Sequence, residues 1–208
     1  TNGLPDKQHA KDIMQNEAFD CPQQPFGGDE DYIWNPDGKH LLYVAKKKSG
    51  TAYALSTNTD LYEYDVEAGT TRNLTENNKG YDVNPAYNQK GQLAWLQMKR
   101  EGYESDKQDI IVSDGKTQVN ITNQRDDIHV ESFRWSRRGD SIYFVAPING
   151  TLQLFKVNDP IITKTKPVII QITSGDFDVS GLVGEVDYTM VVSRTDMNHA
   201  TELYKVNV

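Results

Sequence analysis

One cysteine, Cys21, stands in 208 residues. No disulfide can form within the chain, and cysteine usage leaves the redox compartment open. No motif around Cys21 marks a reactive thiolate, so it reads as structurally neutral. Long apolar runs are missing too. The densest, Pro167 to Ile172, has the length of a strand, far short of the roughly twenty residues of a membrane helix. No basic-then-apolar leader opens the chain, and no membrane insertion is expected. Basic residues are outnumbered, 22 Lys and Arg against 30 Asp and Glu, for a net charge of −8. That balance is the reverse of a phosphate-neutralising surface, so no nucleic-acid partner is expected. The run Lys46-Lys47-Lys48 beside Gly50 reads as a solvated hairpin. Helical periodicity is absent as well: no segment keeps apolar residues at three-and-four spacing beyond two turns.

What the chain does have is a repeat. Arg72-Asn73-Leu74-Thr75 returns as Val119-Asn120-Ile121-Thr122 and as Ile170-Gln171-Ile172-Thr173, with the central apolar positions 47 and 51 residues apart. Trp34-Asn35-Pro36-Asp37-Gly38, followed by Leu41 to Ala45, returns as Trp135-Ser136-Arg137-Arg138-Gly139 followed by Ile142 to Ala146. Tyr87-Asn88-Gln89-Lys90-Gly91 with Leu93 to Leu96 stands between them. A third unit is Leu61-Tyr62-Glu63-Tyr64, matched at 109–112, 154–157 and 203–206. Glycine at a fixed place after an alternating strand marks a tight antiparallel turn. Four short strands per period of about 48 residues are the pattern of propeller blades. The expected fold is therefore an all-β propeller of four-stranded antiparallel blades in a single domain, 1–208.

The strand count gives blades at about 31–76, 84–123 and 132–174, with three strands in 183–208. Residues 10–14 read as a lone fourth strand from a preceding or shared blade. Both a closed four-blade ring, with Lys11 to Met14 beside Leu203 to Val206, and a partial segment of a larger ring fit this count; the segment is preferred. An open segment would leave strand edges that invite pairing with another copy. Trp34, Tyr87 and Trp135 each stand four residues before a turn glycine, Gly38, Gly91 and Gly139. They are expected at equivalent sheet-to-sheet seams as structural residues, not as a ligand-stacking cage.

Chemistry is thin. No Gly-x-Ser-x-Gly elbow is present, so the strained turn that exposes a hydrolase serine beside an oxyanion hole cannot be built. No catalytic residue is expected. His9, His40, His129 and His199 are scattered without a metal-binding spacing, and Asp29-Glu30-Asp31 lacks the ligand series and glycine of a calcium loop. His129 reads as a core or channel residue satisfied by a backbone carbonyl. No metal and no cofactor are expected. Acidic pairs are too numerous for any one to mark a glycosidase. Asn73-Leu74-Thr75 and Asn120-Ile121-Thr122 fit a glycosylation pattern, but their recurrence at one strand position points to packing. The irregular stretches are loops at 46–60, 98–108 and around Lys164 to Pro167, where a propeller carries recognition.

Three stretches go beyond repeat grammar. Phe26-Gly27-Gly28-Asp29-Glu30-Asp31-Tyr32-Ile33-Trp34-Asn35-Pro36-Asp37-Gly38 resembles a blade opening in the N-terminal propellers of the prolyl oligopeptidase family, most closely the bacterial dipeptidyl peptidase and acylaminoacyl peptidase branch. The segments Tyr53 to Tyr62 and Met98 to Lys107 are similar to that branch too. The resemblance covers nearly the whole chain and extends more loosely to TolB-like repeats. It implies a seven- or eight-bladed propeller that gates and selects peptide substrates for a C-terminal α/β-hydrolase domain carrying the Ser-Asp-His triad. A periplasmic or otherwise exported location is implied as well. The chain lacks the catalytic domain and the Glu-Glu amine-binding motif of one branch, so no catalytic residue carries over. Arg100, Glu101, Tyr103 and Glu104 match a family-like segment and are the candidate gating residues, with solvated hairpin residues as the other reading. The alternative function is a stand-alone TolB-like interaction propeller.

Overall fold

Each turn glycine of the repeat ends one strand and starts the next. The structure, a computed structural model, describes residues 10–24 and 27–208; His9 and Phe26 lie outside them. The first sheet contains β1 (Tyr32–Trp34), β2 (His40–Ala45), β3 (Asp60–Asp65) and β4 (Thr70–Asn73). The second contains β5 (Asp82–Tyr87), β6 (Leu93–Gln97), β7 (Asp109–Ser113) and β8 (Gln118–Asn120). The third contains β9 (Ser132–Trp135), β10 (Ser141–Ile148), β11 (Thr151–Asn158) and β12 (Ile169–Gln171). The fourth has three strands, β13 (Asp178–Val186), β14 (Thr189–Asp196) and β15 (His199–Asn207). Every sheet is antiparallel and pairs its strands in chain order. Among the described residues, helix is confined to α1 (Thr51–Leu55), α2 (Pro160–Thr163) and a 3-10 turn at Asp29–Asp31.

The repeat units pair in nearly the same register, the partner standing seven residues on in the first and third sheets and six in the second. Trp34 pairs with Leu41, Tyr87 with Leu93 and Trp135 with Ile142. The turns that follow are closed alike, by Gly38 N–H to Asn35 O at 2.9 Å, Gly91 N–H to Asn88 O at 3.1 Å and Gly139 N–H to Ser136 O at 2.9 Å. All three glycines have positive φ, a conformation in which an added Cβ would be strained. The threonine ending each fourth strand has a mechanical role. Thr75, Thr122 and Thr173 Oγ1 accept the backbone N–H of Leu61, Ile110 and Leu154 at 3.0, 3.0 and 2.9 Å. Thr75 and Thr122 also donate to Asp60 and Asp109 at 3.2 and 2.8 Å. Both hydroxyls are buried, which accounts for the recurrence of the sequon-like triplets through packing.

Alternating faces of each sheet fill the seams. Leu42, Val44 and Leu61 meet Leu93, Trp95 and Ile111 between the first and second sheets. Leu96, Ile110 and Val112 meet Ile142, Phe144 and Phe155 between the second and third. Tyr143, Val145 and Leu154 meet Val179, Met190 and Val192 between the third and fourth. Inner strands β1, β5, β9 and β13 follow one another in contact, as blade-opening strands do around an axis.

Two expectations are corrected, and of the two ring arrangements the preferred open one stands. Residues 10–14 form no strand. Asp12 Oδ1 accepts Met14 N–H at 2.9 Å and Met14 O accepts Glu17 N–H at 3.0 Å, which bends this stretch into a turn. Met14, Phe19 and Cys21 then cover the tyrosine face of the first sheet, Tyr43, Tyr62 and Tyr64. The closed four-blade ring is also excluded, because the fourth sheet does not close onto the first. β15 keeps an unpaired edge with Leu203 exposed. Finally, Trp34 occupies no seam. It is 58% exposed against 9% for Trp135, because no sheet packs on the face it shares with Leu41 and Tyr43.

Candidate functional site

The link between second and third strands shows where the sheets stop being alike. β10 and β11 join through Asn149 and Gly150, both at positive φ, in the two-residue turn that suits a twisted hairpin. The corresponding links of the first and second sheets are long: Lys46 to Thr59 contains α1, and Met98 to Gln108 has no regular structure. These two insertions lie at one end of the sheets and are bonded together. Ser56 Oγ donates to Glu101 Oε1 at 2.7 Å, Lys48 pairs with the same oxygen at 3.2 Å, and Gly102 N–H donates to Thr57 Oγ1 at 2.8 Å.

Asp106 fixes the shape of the second insertion. Its carboxylate accepts from Arg100 N–H at 2.9 Å and Lys99 N–H at 3.2 Å, and pairs with the Arg100 guanidinium at 2.8 Å. The Arg100 bonds hold this carboxyl down at about 2, below the ordinary range. Arg100 in turn stacks 4.0 Å from the Tyr103 ring centre. Gly80 lies against the start of the insertion so closely that a Cβ would collide with the Met98 carbonyl. On the other side, Tyr53 donates to Gln24 O at 2.9 Å and ties α1 to the segment leading into β1.

Between the insertions opens a cleft of about 1090 Å³. Gln23, Glu30 and Asp31 line one side, Lys46, Tyr53 and Leu55 another, Val83 and Asn84 of β5 the floor, and Tyr103 and Glu104 the rim. Its charge is uneven, with Glu30, Asp31 and Glu104 against Lys46. Asp31 is 2% exposed and, among the described residues, its Oδ2 has no hydrogen-bond partner. Burial, with Glu30 adding to it, pushes this carboxyl up to about 6. Lys46 is 8% exposed, its ammonium 4.6 Å from the Tyr53 ring centre. Burial lowers its pKa, against the opposing pull of Glu104.

The four candidate gating residues divide. Tyr103 and Glu104 line the cleft, whereas Arg100 and Glu101 are engaged in the bonds that shape it. Lys46, Tyr53, Asp31 and Asn84 were missed by sequence reasoning, since nothing in the repeat brings residues 31, 46, 53 and 84 together. Tyr87 and Trp135 line a separate cleft of about 490 Å³ beside Glu185, which Trp34 does not reach. Trp135 Nε1 donates back to Ala86 O at 3.0 Å, and the Tyr87 hydroxyl accepts from Asn35 at 3.3 Å. Among the described residues, no three His, Cys, Asp or Glu side chains cluster as a metal site. His129 accepts from Gln108 N–H at 3.2 Å, the reverse of the expected backbone carbonyl. His40 and His199 pair with Asp37 and Asp196. No helix among the described residues is long and apolar enough to cross a membrane.

No family model matches the chain. Dipeptidyl-peptidase 5 of Porphyromonas gingivalis is 38% identical over 202 residues, 95% of this chain and 28% of that protein. The chain thus spans under a third of that relative's length. In structure it is similar to Pyrococcus horikoshii acylaminoacyl peptidase (TM-score 0.63, 17% identity), covering 84% of this chain and 25% of that one. It is also similar to a putative TolB from Agrobacterium tumefaciens (TM-score 0.53, 18% identity), over 84% and 64% of the two chains. Identities that low carry the fold alone. The sequence match over nearly the whole chain, joined to the blade register, makes this chain similar to a β-propeller segment of dipeptidyl-peptidase 5.

Proposed function

We propose that this segment gates and selects peptide substrates for a larger serine peptidase whose C-terminal α/β-hydrolase domain performs the hydrolysis. The observation that carries this reading is the cleft between the two stitched insertions, where three carboxylates face one lysine among tyrosines. Such a lining suits a short peptide bearing a positive group, and every unblocked peptide has one in its α-ammonium. Tyrosine faces add apolar contact at low entropic cost. Glu30 and Glu104 sit at the exposed rim, where charge steers approach, while Asp31 lies deeper and strengthens its hold on a cation as it ionises. The name dipeptidyl-peptidase, borne by the relative of 38% identity, agrees with a substrate chosen by its free end. An exported location belongs to the same proposal.

The test is titration of the chain with Ala-Phe amide and with its N-acetylated form, followed by NMR. The free-amine peptide binds several-fold tighter, and its affinity rises as pH passes upward through about 6, where Asp31 ionises. Equal affinity for the two peptides, or none for either, contradicts the proposal. The chain alone also leaves dipeptidyl-arylamides intact and resists a serine-directed fluorophosphonate. Turnover that survives repurification would contradict the division of labour.

A further inference from the structure

One inner strand of the three four-stranded sheets is broken. β1 pairs with β2 and β9 with β10 residue for residue, but β5 pairs Val83 with Leu96 and then Ala86 with Ala94. Asn84 and Pro85 therefore stand opposite Trp95 alone, as a β-bulge. Asn84 has φ of 53°, left-handed backbone that few residues other than glycine adopt. Pro85 further restricts the residue before it and has no N–H to give the ladder. Bulges re-aim side chains, and strained backbone gathers at ligand clamps. This bulge lies on the floor of the 1090 Å³ cleft.

Several asparagines of the sheets and their turns spend their side chains on the fold. Asn35 and Asn88 turn their amide oxygens back onto their own turns, accepting from Asp37 N–H at 3.1 Å and Lys90 N–H at 2.9 Å. Asn78 and Asn120 donate to Asp82 and Asp109, both at 2.9 Å. Asn84 is half-buried, and among the described residues its amide makes no hydrogen bond at all. Asparagine tolerates the left-handed backbone, as Asn149 does in its turn. Asparagine adds two donors and an acceptor, and here they are left for whatever occupies the cleft.

We propose that Asn84 is the main-chain clamp of the cleft, its amide donating to a carbonyl and accepting from an N–H of an extended peptide. This rests on the reading of the cleft as a peptide site. Asn84 reads backbone and not side chain, so it holds peptides of differing sequence in one register while the carboxylates take the charged end. Tyr81, Lys46 and Tyr103 flank it with apolar and cationic surface for the remaining atoms.

The experiment uses Ala-Phe-Ala amide and its depsipeptide analogue, in which an ester oxygen replaces the second peptide N–H, against the chain and its Asn84→Gly and Asn84→Asp variants. Asn84→Gly keeps the left-handed backbone, so its denaturation midpoint stays or rises, while its affinity for the amide peptide falls about five- to tenfold, the worth of one or two hydrogen bonds. Asn84→Asp loses the donor and weakens binding with the fold intact. In the parent chain the side-chain NH2 resonances of Asn84 shift on titration, and the depsipeptide binds more weakly by a similar factor. Unchanged affinity in Asn84→Gly with binding intact in the parent chain overturns the clamp and leaves the cleft reading standing. No binding by the parent chain overturns both.

Discussion

Trp34 and Trp135 occupy the same register in their sheets, four residues before the same kind of turn, and meet different surroundings. Trp135 is covered by the second sheet and donates to Ala86 O. Trp34 looks out from the first sheet over a face covered in part by Met14, Phe19 and Cys21. The position in the repeat is thus a socket, and burial comes from the neighbouring sheet. A second contrast lies along the same strands. The seams are built from what repeats, the cleft from what does not: the insertions at 46–59 and 98–108, the bulge at Asn84 and the segment before β1. The seams and the cleft are therefore built by different residues of one scaffold.

The largest effect expected is at the filled socket. Trp135→Ala removes a buried ring and its hydrogen bond, and chemical denaturation reads a loss of about 3–5 kcal/mol. Gly80→Ala comes next: its new Cβ meets backbone, and the overpacking costs about 1–3 kcal/mol while displacing the insertion it supports. A Gly80→Ala chain that keeps both its midpoint and its peptide affinity would refute that contact. The threonine clamp is of similar size. Thr122→Val leaves the Ile110 N–H without its acceptor and costs about 1–3 kcal/mol. At the empty socket, Trp34→Ala falls within about 0.5 kcal/mol of the parent. A Trp34→Ala cost equal to that at Trp135 would show that the two sockets are filled alike.

Carboxyls held by cations and carboxyls held by burial answer to pH in opposite directions. Asp106 has a depressed pKa, so the stability it contributes is present above the ordinary carboxylate range and is lost as pH falls from about 4 through about 2. Asp31 in the cleft and Asp82 under the second sheet are both raised to about 6, chiefly by burial. At Asp82, hydrogen bonds from Gln97, Asn78 and Trp95 oppose that burial. For these two the sign reverses: the native state holds their protons more tightly, so stability declines as pH rises from about 4 to 6. Denaturation midpoints across pH therefore peak in the weakly acidic range. Asp31→Asn and Asp82→Asn each flatten the alkaline limb, and Asp106→Asn flattens the acid limb.

The scaffold was legible because its determinants are local and recur. Leu74, Ile121 and Ile172 mark the fourth strand in each blade, and Gly38, Gly91 and Gly139 mark the turns. Residues 10–14 misled because Lys11-Asp12-Ile13-Met14 is a weak copy of the fourth-strand unit, while an Asx bond at Asp12 bends it. Trp34 misled because the repeat specifies a seam position but not whether a sheet lies across it. The cleft was half legible: Tyr103 and Glu104 could be named from a family-like segment. Their partners come from separate parts of the chain, and Asn84 is set apart by a change of pairing that residue order alone does not show.

The central claim is that the cleft binds peptide through residues that do not hold the fold. Glu104→Gln tests it most directly, because Glu104 is exposed at the rim and removes one of the three carboxylates without emptying a seam. Measured on one sample, its denaturation midpoint stays at the parent value while its affinity for a free-amine peptide drops several-fold and that for the acetylated peptide does not change. A variant that binds the free-amine peptide as tightly as the parent, or that loses stability and binding together, would contradict the account.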